Sequence, residues 1–154
     1  MLAIVGVLAL AVVIGIDAAG GERQLQREGE RFQALVTHAC ERAELGGRSV
    51  GVRVDANGFA FAMLGFDGWM ADERDGELRP RRWLQGLAAE LRRDGRVLGV
   101  DAADDAAGPQ IVCFPSGELT PFTLRLGLGS TPGTLDVNGR PDGRVELARS
   151  GAQH

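Results

Sequence analysis

Few side chains in this sequence stand in arrangements that could do chemistry. Ser116 lies in Pro-Ser-Gly-Glu without the Gly-x-Ser-x-Gly elbow that exposes a nucleophilic serine, and histidine occurs only at His38 and His154. A Pro-Ser-Gly turn between two strands accounts for that segment, and Glu118 reads as a turn residue and not as an acid catalyst. His38 stands two residues from Cys40 with no second ligand pair at a metal-binding spacing, so it is expected as a partly exposed helix residue. Asp101, Asp104 and Asp105 lack the alternate-position ligands and closing glutamate of an EF-hand loop and read as a solvated acidic loop. No catalytic residue, metal or cofactor is expected.

Cys40 and Cys113 are the two cysteines, with no CxxC pair, which excludes a zinc cage and a disulfide-rich scaffold. Each sits among apolar residues, so the expectation is two buried free cysteines; one disulfide, formed in an oxidising compartment such as a periplasm, is the alternative.

Arginine supplies all 17 basic residues, in two clusters. Arg79, Arg81 and Arg82 adjoin Trp83, a grouping able to stack on nucleic acid, and Arg92, Arg93 and Arg96 form the second. The net charge of -4 opposes polyanion binding, and Asp72, Glu73, Asp75 and Glu77 stand just before the first cluster. Charge pairing within the chain, or a solvated rim, is therefore the expected role.

These residues need elements to position them. At 154 residues, 44% hydrophobic, the chain can bury one modest core, so a single globular domain is expected. Residues 2–16, LAIVGVLALAVVIGI, carry no polar side chain. As a helix this run spans about 23 Å, short of the roughly 30 Å of a bilayer core. A cleaved signal peptide is the rival reading, and the lack of a basic n-region after Met1 speaks against it. From residue 22 to 45 the periodicity predicts a continuing helix. Leu25, Phe32, Leu35, Val36, Ala39 and Ala43 share one face, Gly20 and Gly21 offer a place to bend or melt, and Gly46-Gly47 ends it.

Beyond Ser49 the period changes to two. Val50, Val52 and Val54 predict a half-buried strand, Asp55 to Gly58 a turn, and Phe59, Phe61 and Met63 the return strand. Leu87, Ala89 and Leu91 lead through Asp94-Gly95 to Val97 and Val100 as a second hairpin. Residues 101–109 read as a surface loop, 111–114 and 122–126 as strands around PSGELTP, 127–139 as a Gly-rich stretch, and 144–147 as the last strand before a frayed tail.

A hydrophobic helix running into an amphipathic half and then a small β domain is the layout of type IV pilin-like proteins. The chain resembles the H-type minor pseudopilins, the GspH family of the type II secretion system. The matching pieces are LAIVGVLALA at 2–11, GRSVGVRVDANGFAF at 47–61, LRPRRW at 78–83 and PQIVCFPSGELTPFTLRL at 109–126. The most specific is the core formed by Pro115, Ser116, Gly117, Glu118, Pro121 and Phe122.

The resemblance implies an α+β fold: a membrane part of the helix at 1–16, an amphipathic part at 17–46, and an antiparallel β domain at 47–154, with two stacked sheets beside the helix. It implies a structural subunit and not an enzyme, anchored once in the bacterial inner membrane with its β domain in the periplasm. Such a subunit lies near the tip of the pseudopilus that drives export of folded proteins across the outer membrane. Its implied partners are other minor pseudopilins and the major pseudopilin, met here through Leu25, Phe32, Leu35 and Val36, a face part of which must also cover the sheet. Related minor pilins of DNA-uptake pili make the alternative, DNA binding through Arg79, Arg81 and Arg82. The family's basic leader, cleavage-site glycine and early glutamate have no counterpart before residue 2. The register sets Met1 several residues inside the family's membrane helix, so an internal start codon or truncated gene model is expected. Prepilin peptidase is a partner only if the true N-terminus lies upstream.

Overall fold

The computed structural model describes residues 2–72, 74–100, 108–129 and 131–150, with side chains described from Gly20 to Arg149. The acidic loop at 101–107 with its three aspartates, Glu73, and the tail with His154 lie outside the described residues.

With no proline before residue 80 to interrupt it, α1 runs unbroken from Leu2 to Gly46, about 68 Å at 1.5 Å per residue. Gly20 and Gly21, which offer a place to bend or melt, remain helical. Gly21 instead lets the sheet come close, since a Cβ there would collide with the Thr131 hydroxyl; Gly29 does the same for Leu135. The helix ends as predicted: Gly47 takes φ +66 and its N–H reaches back to the Ala43 carbonyl at 3.0 Å. Among the residues with described side chains, from Gly20 on, no helix is long and apolar enough to cross a membrane.

The rest of the chain forms two antiparallel sheets. In the first, β1 (Val50–Val54) pairs with β2 (Gly58–Gly65), which continues through a tight turn into β3 (Gly68–Met70). The register sets Val52 beside Phe61 and Val54 beside Phe59, so the predicted hairpin forms with its apolar face inward. A short β4 (Arg81–Arg82) lies beside β2. The second sheet begins with β5 (Leu87–Arg93) and β6 (Arg96–Leu98), joined by Asp94 at φ +54 and Gly95 at φ +76, a type I′ turn. Here the register differs from expectation: Leu98, and not Val97, pairs with Leu91 and faces inward, while Val97 is exposed.

Strand β7 (Ile111–Cys113) closes the first sheet against β1, giving the order β3-β2-β1-β7 with β4 beside β2. β8 (Phe122–Leu128), β9 (Thr134–Gly139) and β10 (Val145–Ser150) complete the second, in the order β10-β9-β8-β5-β6. The Gly-rich stretch at 127–139 thus contains a strand, with Leu135, Val137 and Gly139 turned inward.

Helix α1 packs on strands of both sheets, and one core joins all three layers. Phe32 lies at its centre. Its ring is 5.0 Å from Phe59, 5.9 Å from Trp83 and 6.1 Å from Phe122, edge-on to the two phenylalanines.

Cys40 and Cys113 are not free. They form a disulfide with an S–S distance of 2.05 Å, tying α1 to β7. The place of Cys40 on the buried face of α1 and the apolar neighbours of Cys113 account for burial of either state of sulfur and for nothing more; pairing is set by the docking of α1 on β7, which sequence spacing does not reveal. Closing a loop of 73 residues is worth about 4 kcal/mol on the chain-entropy account.

Candidate functional site

The helix face expected to meet neighbouring subunits is occupied by the chain itself. Leu25, Phe32 and Val36 have no exposed surface, and Leu35 retains 7%. One apolar stripe serves one core, and the two sheets use all of it. Contact with another subunit through these four residues would require lifting α1 off the sheets. The face that stays exposed on α1 carries Arg23, Gln24, Arg27, Glu30, Ala34 and Thr37.

The PSGELTPF segment is a hairpin loop that the rest of the domain grips. The Gly117 N–H donates to the Phe114 carbonyl at 3.0 Å and the Phe114 N–H to the Glu118 carbonyl at 2.9 Å, with Gly117 at φ +92. The Ser116 hydroxyl accepts from the Glu118 amide at 3.4 Å, a turn-stabilising role. Leu119 is buried, and its N–H donates to the Pro141 carbonyl in the β9–β10 turn. Phe122 enters the core against Phe32, while Pro115, Ser116, Glu118 and Pro121 remain exposed. The motif therefore joins β7, β8 and the β9–β10 turn at the end of the domain where α1 stops; a Cβ on Gly117 would crowd Glu44 of the last helical turn.

The acidic residues before the first arginine cluster pair mainly with the helix. His38 Nε2 lies 2.8 Å from Asp75 Oδ2, and Arg42 reaches Asp72 at 3.1 Å and Asp75 at 3.2 Å. Burial disfavours the charged form of Asp75, yet the hydrogen bonds from His38 and the Glu77 amide, with the charges of His38 and Arg42, outweigh it and hold the carboxyl below its ordinary range. His38 is thus a clamp residue, a role that its helix position alone did not indicate.

The arginines themselves divide. Arg81 donates to the Glu77 carbonyl at 3.0 Å and lies 4.0 Å from its carboxylate. Arg82 is held by its backbone, its carbonyl accepting from Arg31 at 2.8 Å, and its side chain is exposed, as is that of Arg79. In the second cluster Arg92 pairs with Glu90 at 2.7 Å and Arg93 donates to the Gln110 carbonyl at 2.9 Å. Charge pairing within the chain is thus the observed use of Arg81 and Arg92, whereas Arg93 is tied to a backbone carbonyl and Asp72 and Asp75 take other partners. Trp83, which could have stacked on a base, is 7% exposed and its indole N–H donates to the Asp55 carbonyl.

Sequence reasoning missed an apolar pole beside the end of α1. Leu45 is 86% exposed and Phe66 fully so, with Leu64 and Phe114 about 40% exposed. Gly47, Arg48, Leu64, Phe66 and Pro115 line one shallow groove there. The available signal was Phe66-Asp67 at a hairpin turn, where a large aromatic has no core to enter. No group of three or more metal-ligating side chains occurs among the described residues.

A family model described as Type II transport protein GspH matches residues 28–151. The type II secretion system protein H of Aeromonas hydrophila is 30% identical, over 80% of this chain and 73% of its own length. That of Pseudomonas aeruginosa is 30% identical over 97% of this chain and 91% of its own. Among solved structures, the minor pseudopilin EpsH from the type 2 secretion system of Vibrio cholerae superposes with a TM-score of 0.66 at 25% identity, covering 82% of this chain and 97% of that one. The type IV minor pilin FimU of Pseudomonas aeruginosa shares the fold, with a TM-score of 0.53 at 17% identity over 80% of this chain and 92% of its own. The long helix on antiparallel sheets is thus a pilin-like α+β fold, and its family is one of structural subunits of the bacterial envelope that assemble with other pseudopilins. On the family match and the shared length of these relatives, the chain belongs to the GspH family, the H-type minor pseudopilins of type II transport.

Proposed function

We propose that the chain is a non-catalytic subunit of the type II secretion pseudopilus, placed near its tip and joining the other minor pseudopilins to the major one. The observation that carries this reading is the helix. About 28 Å of it precedes Gly21, the level at which Thr131 meets it, and residues 2–16 of that stem are wholly apolar. Such a stem suits one passage of the inner membrane before assembly and a place among equivalent helices afterwards, its apolar surface passing from lipid to protein. The Cys40–Cys113 disulfide fits a β domain held in the oxidising periplasm.

Deleting the gene in its host should leave secreted proteins trapped in the periplasm. The intact chain should restore export, and Val12→Arg, which puts a charge in the stem, should not. Undiminished export after deletion would refute the assignment.

A further inference from the structure

The disulfide poses a problem of access. Cys113 has no exposed surface and Cys40 7%, and their sulfurs lie between α1 and β7. An enzyme that oxidises thiols has to bring its own sulfur in line with one of them, which the packed domain prevents. The bond is therefore made while α1 is still undocked.

In that open chain the two cysteines are not equivalent. Cys40 lies in His38-Ala39-Cys40-Glu41-Arg42, a polar run with the Arg42 guanidinium two residues on and the Glu41 carboxylate beside the thiol. Cys113 lies in Ile111-Val112-Cys113-Phe114-Pro115, which offers no charge. Thiolate is the attacking species, and a polar, hydrated run with an Arg nearby accommodates it whereas the apolar run around Cys113 opposes it. Position adds to chemistry: in a chain led out by an N-terminal stem, residue 40 reaches the oxidising side 73 residues ahead of its partner.

We propose that Cys40 is the entry residue for a thiol–disulfide oxidase bearing a Cys-X-X-Cys disulfide, and that Cys113 is the resolving residue. The Cys40 thiolate attacks one oxidase sulfur, the S–S bond of the oxidase breaks, and its second sulfur leaves as thiolate. The Cys113 thiolate then attacks the Cys40 sulfur of the mixed disulfide, expelling the remaining oxidase sulfur. Two thiols of this chain lose two electrons and two protons, and the oxidase disulfide is reduced to a dithiol. The inference rests on delivery of the β domain to an oxidising compartment and not on filament assembly.

Full-length Cys113→Ser and Cys40→Ser chains, expressed in cells with a periplasmic oxidase of this type, are quenched in acid, alkylated and run without reductant. Cys113→Ser should accumulate a reductant-sensitive adduct with the oxidase, at least about tenfold above Cys40→Ser, because its resolving thiol is gone. Equal adducts, a dominant Cys40→Ser adduct, or none in either would overturn the proposal. Because the adduct forms on an open chain, a folding defect in either variant does not obscure the result. In a second measurement, pre-reduced wild-type chain meets a purified oxidase with and without urea. Oxidation should be at least about a hundredfold slower without urea, and equal rates would overturn the order of events. A reversed adduct pattern in a chain that still restores export would refute this inference and leave the pseudopilin reading standing.

Discussion

One carboxylate oxygen, Oδ2 of Asp75, is shared by His38 at 2.8 Å and by Arg42 one helical turn further on at 3.2 Å. The other oxygen, Oδ1, accepts from the Glu77 amide at 2.9 Å and caps a single 3-10 turn at Gly76–Leu78. Asp75 thereby fixes the segment between β3 and β4 across α1, and it delivers Leu78, which is 2% exposed, into the core.

This clamp gives stability an acid limb. The Asp75 carboxyl is held below its ordinary value of 3.8 in the folded chain, so the unfolded chain binds protons first as pH falls. Its contribution is whole above about pH 4 and is lost as pH drops through the lower, folded value. Asp75→Asn should cost about 1–2 kcal/mol at pH 6, and the gap from wild type should narrow by pH 3. Urea unfolding at both values checks this; a gap unchanged at pH 3 would show that the charge is not what holds the segment.

Phe32 and Phe66 make a matched pair, one with no exposed surface and one fully exposed. Phe32→Ala should destabilise the domain by about 3–5 kcal/mol, because three aromatic rings lose their common neighbour. Phe66→Ala should change stability by less than about 0.5 kcal/mol. A denaturant series on both variants decides, and a large loss for Phe66→Ala would mean that the apolar pole is packed within the chain.

The arginine segment separates a filament subunit from a DNA binder. Under the pseudopilin reading the chain's periplasmic domain shows no retention of duplex DNA at about 0.15 M salt, and replacing Arg79, Arg81 and Arg82 by alanine changes nothing. Salt-sensitive retention that disappears in the triple variant would instead support the DNA-uptake reading.

Much of the fold was legible because local chemistry agreed with the final structure. Val50, Val52 and Val54 face the core because strand side chains alternate, and the turn at Asp55 to Gly58 is closed by the Asp55 carboxylate accepting from the Asn57 and Gly58 amides, the local chemistry that such residues favour. What escaped was set by partners distant in sequence. Strand β9 hides among glycines because Gly139 must be one: a Cβ there would run into the Phe122 ring. The destination of Asp72 and Asp75 was likewise invisible, since sequence proximity favoured Arg79 to Arg82 and the fold brought His38 and Arg42 instead. For the candidate site, the apolar stripe of α1 was read correctly as a stripe, but sequence cannot say that both sheets would consume it.

Seen mechanically, the Cys40–Cys113 bond sets a load path through the subunit. The covalent ring it closes encloses β1 to β7 and leaves β8, β9 and β10 outside. Tension drawn along α1 passes at residue 40 directly into β7 at the edge of the first sheet, so the helix cannot be stripped from that sheet past this point while the bond is intact. The outer strands of the second sheet are held to the helix by packing and by bonds such as Gln33 to the Val145 carbonyl. Under a pull they are the part that yields first, and the ring is the part that carries the load.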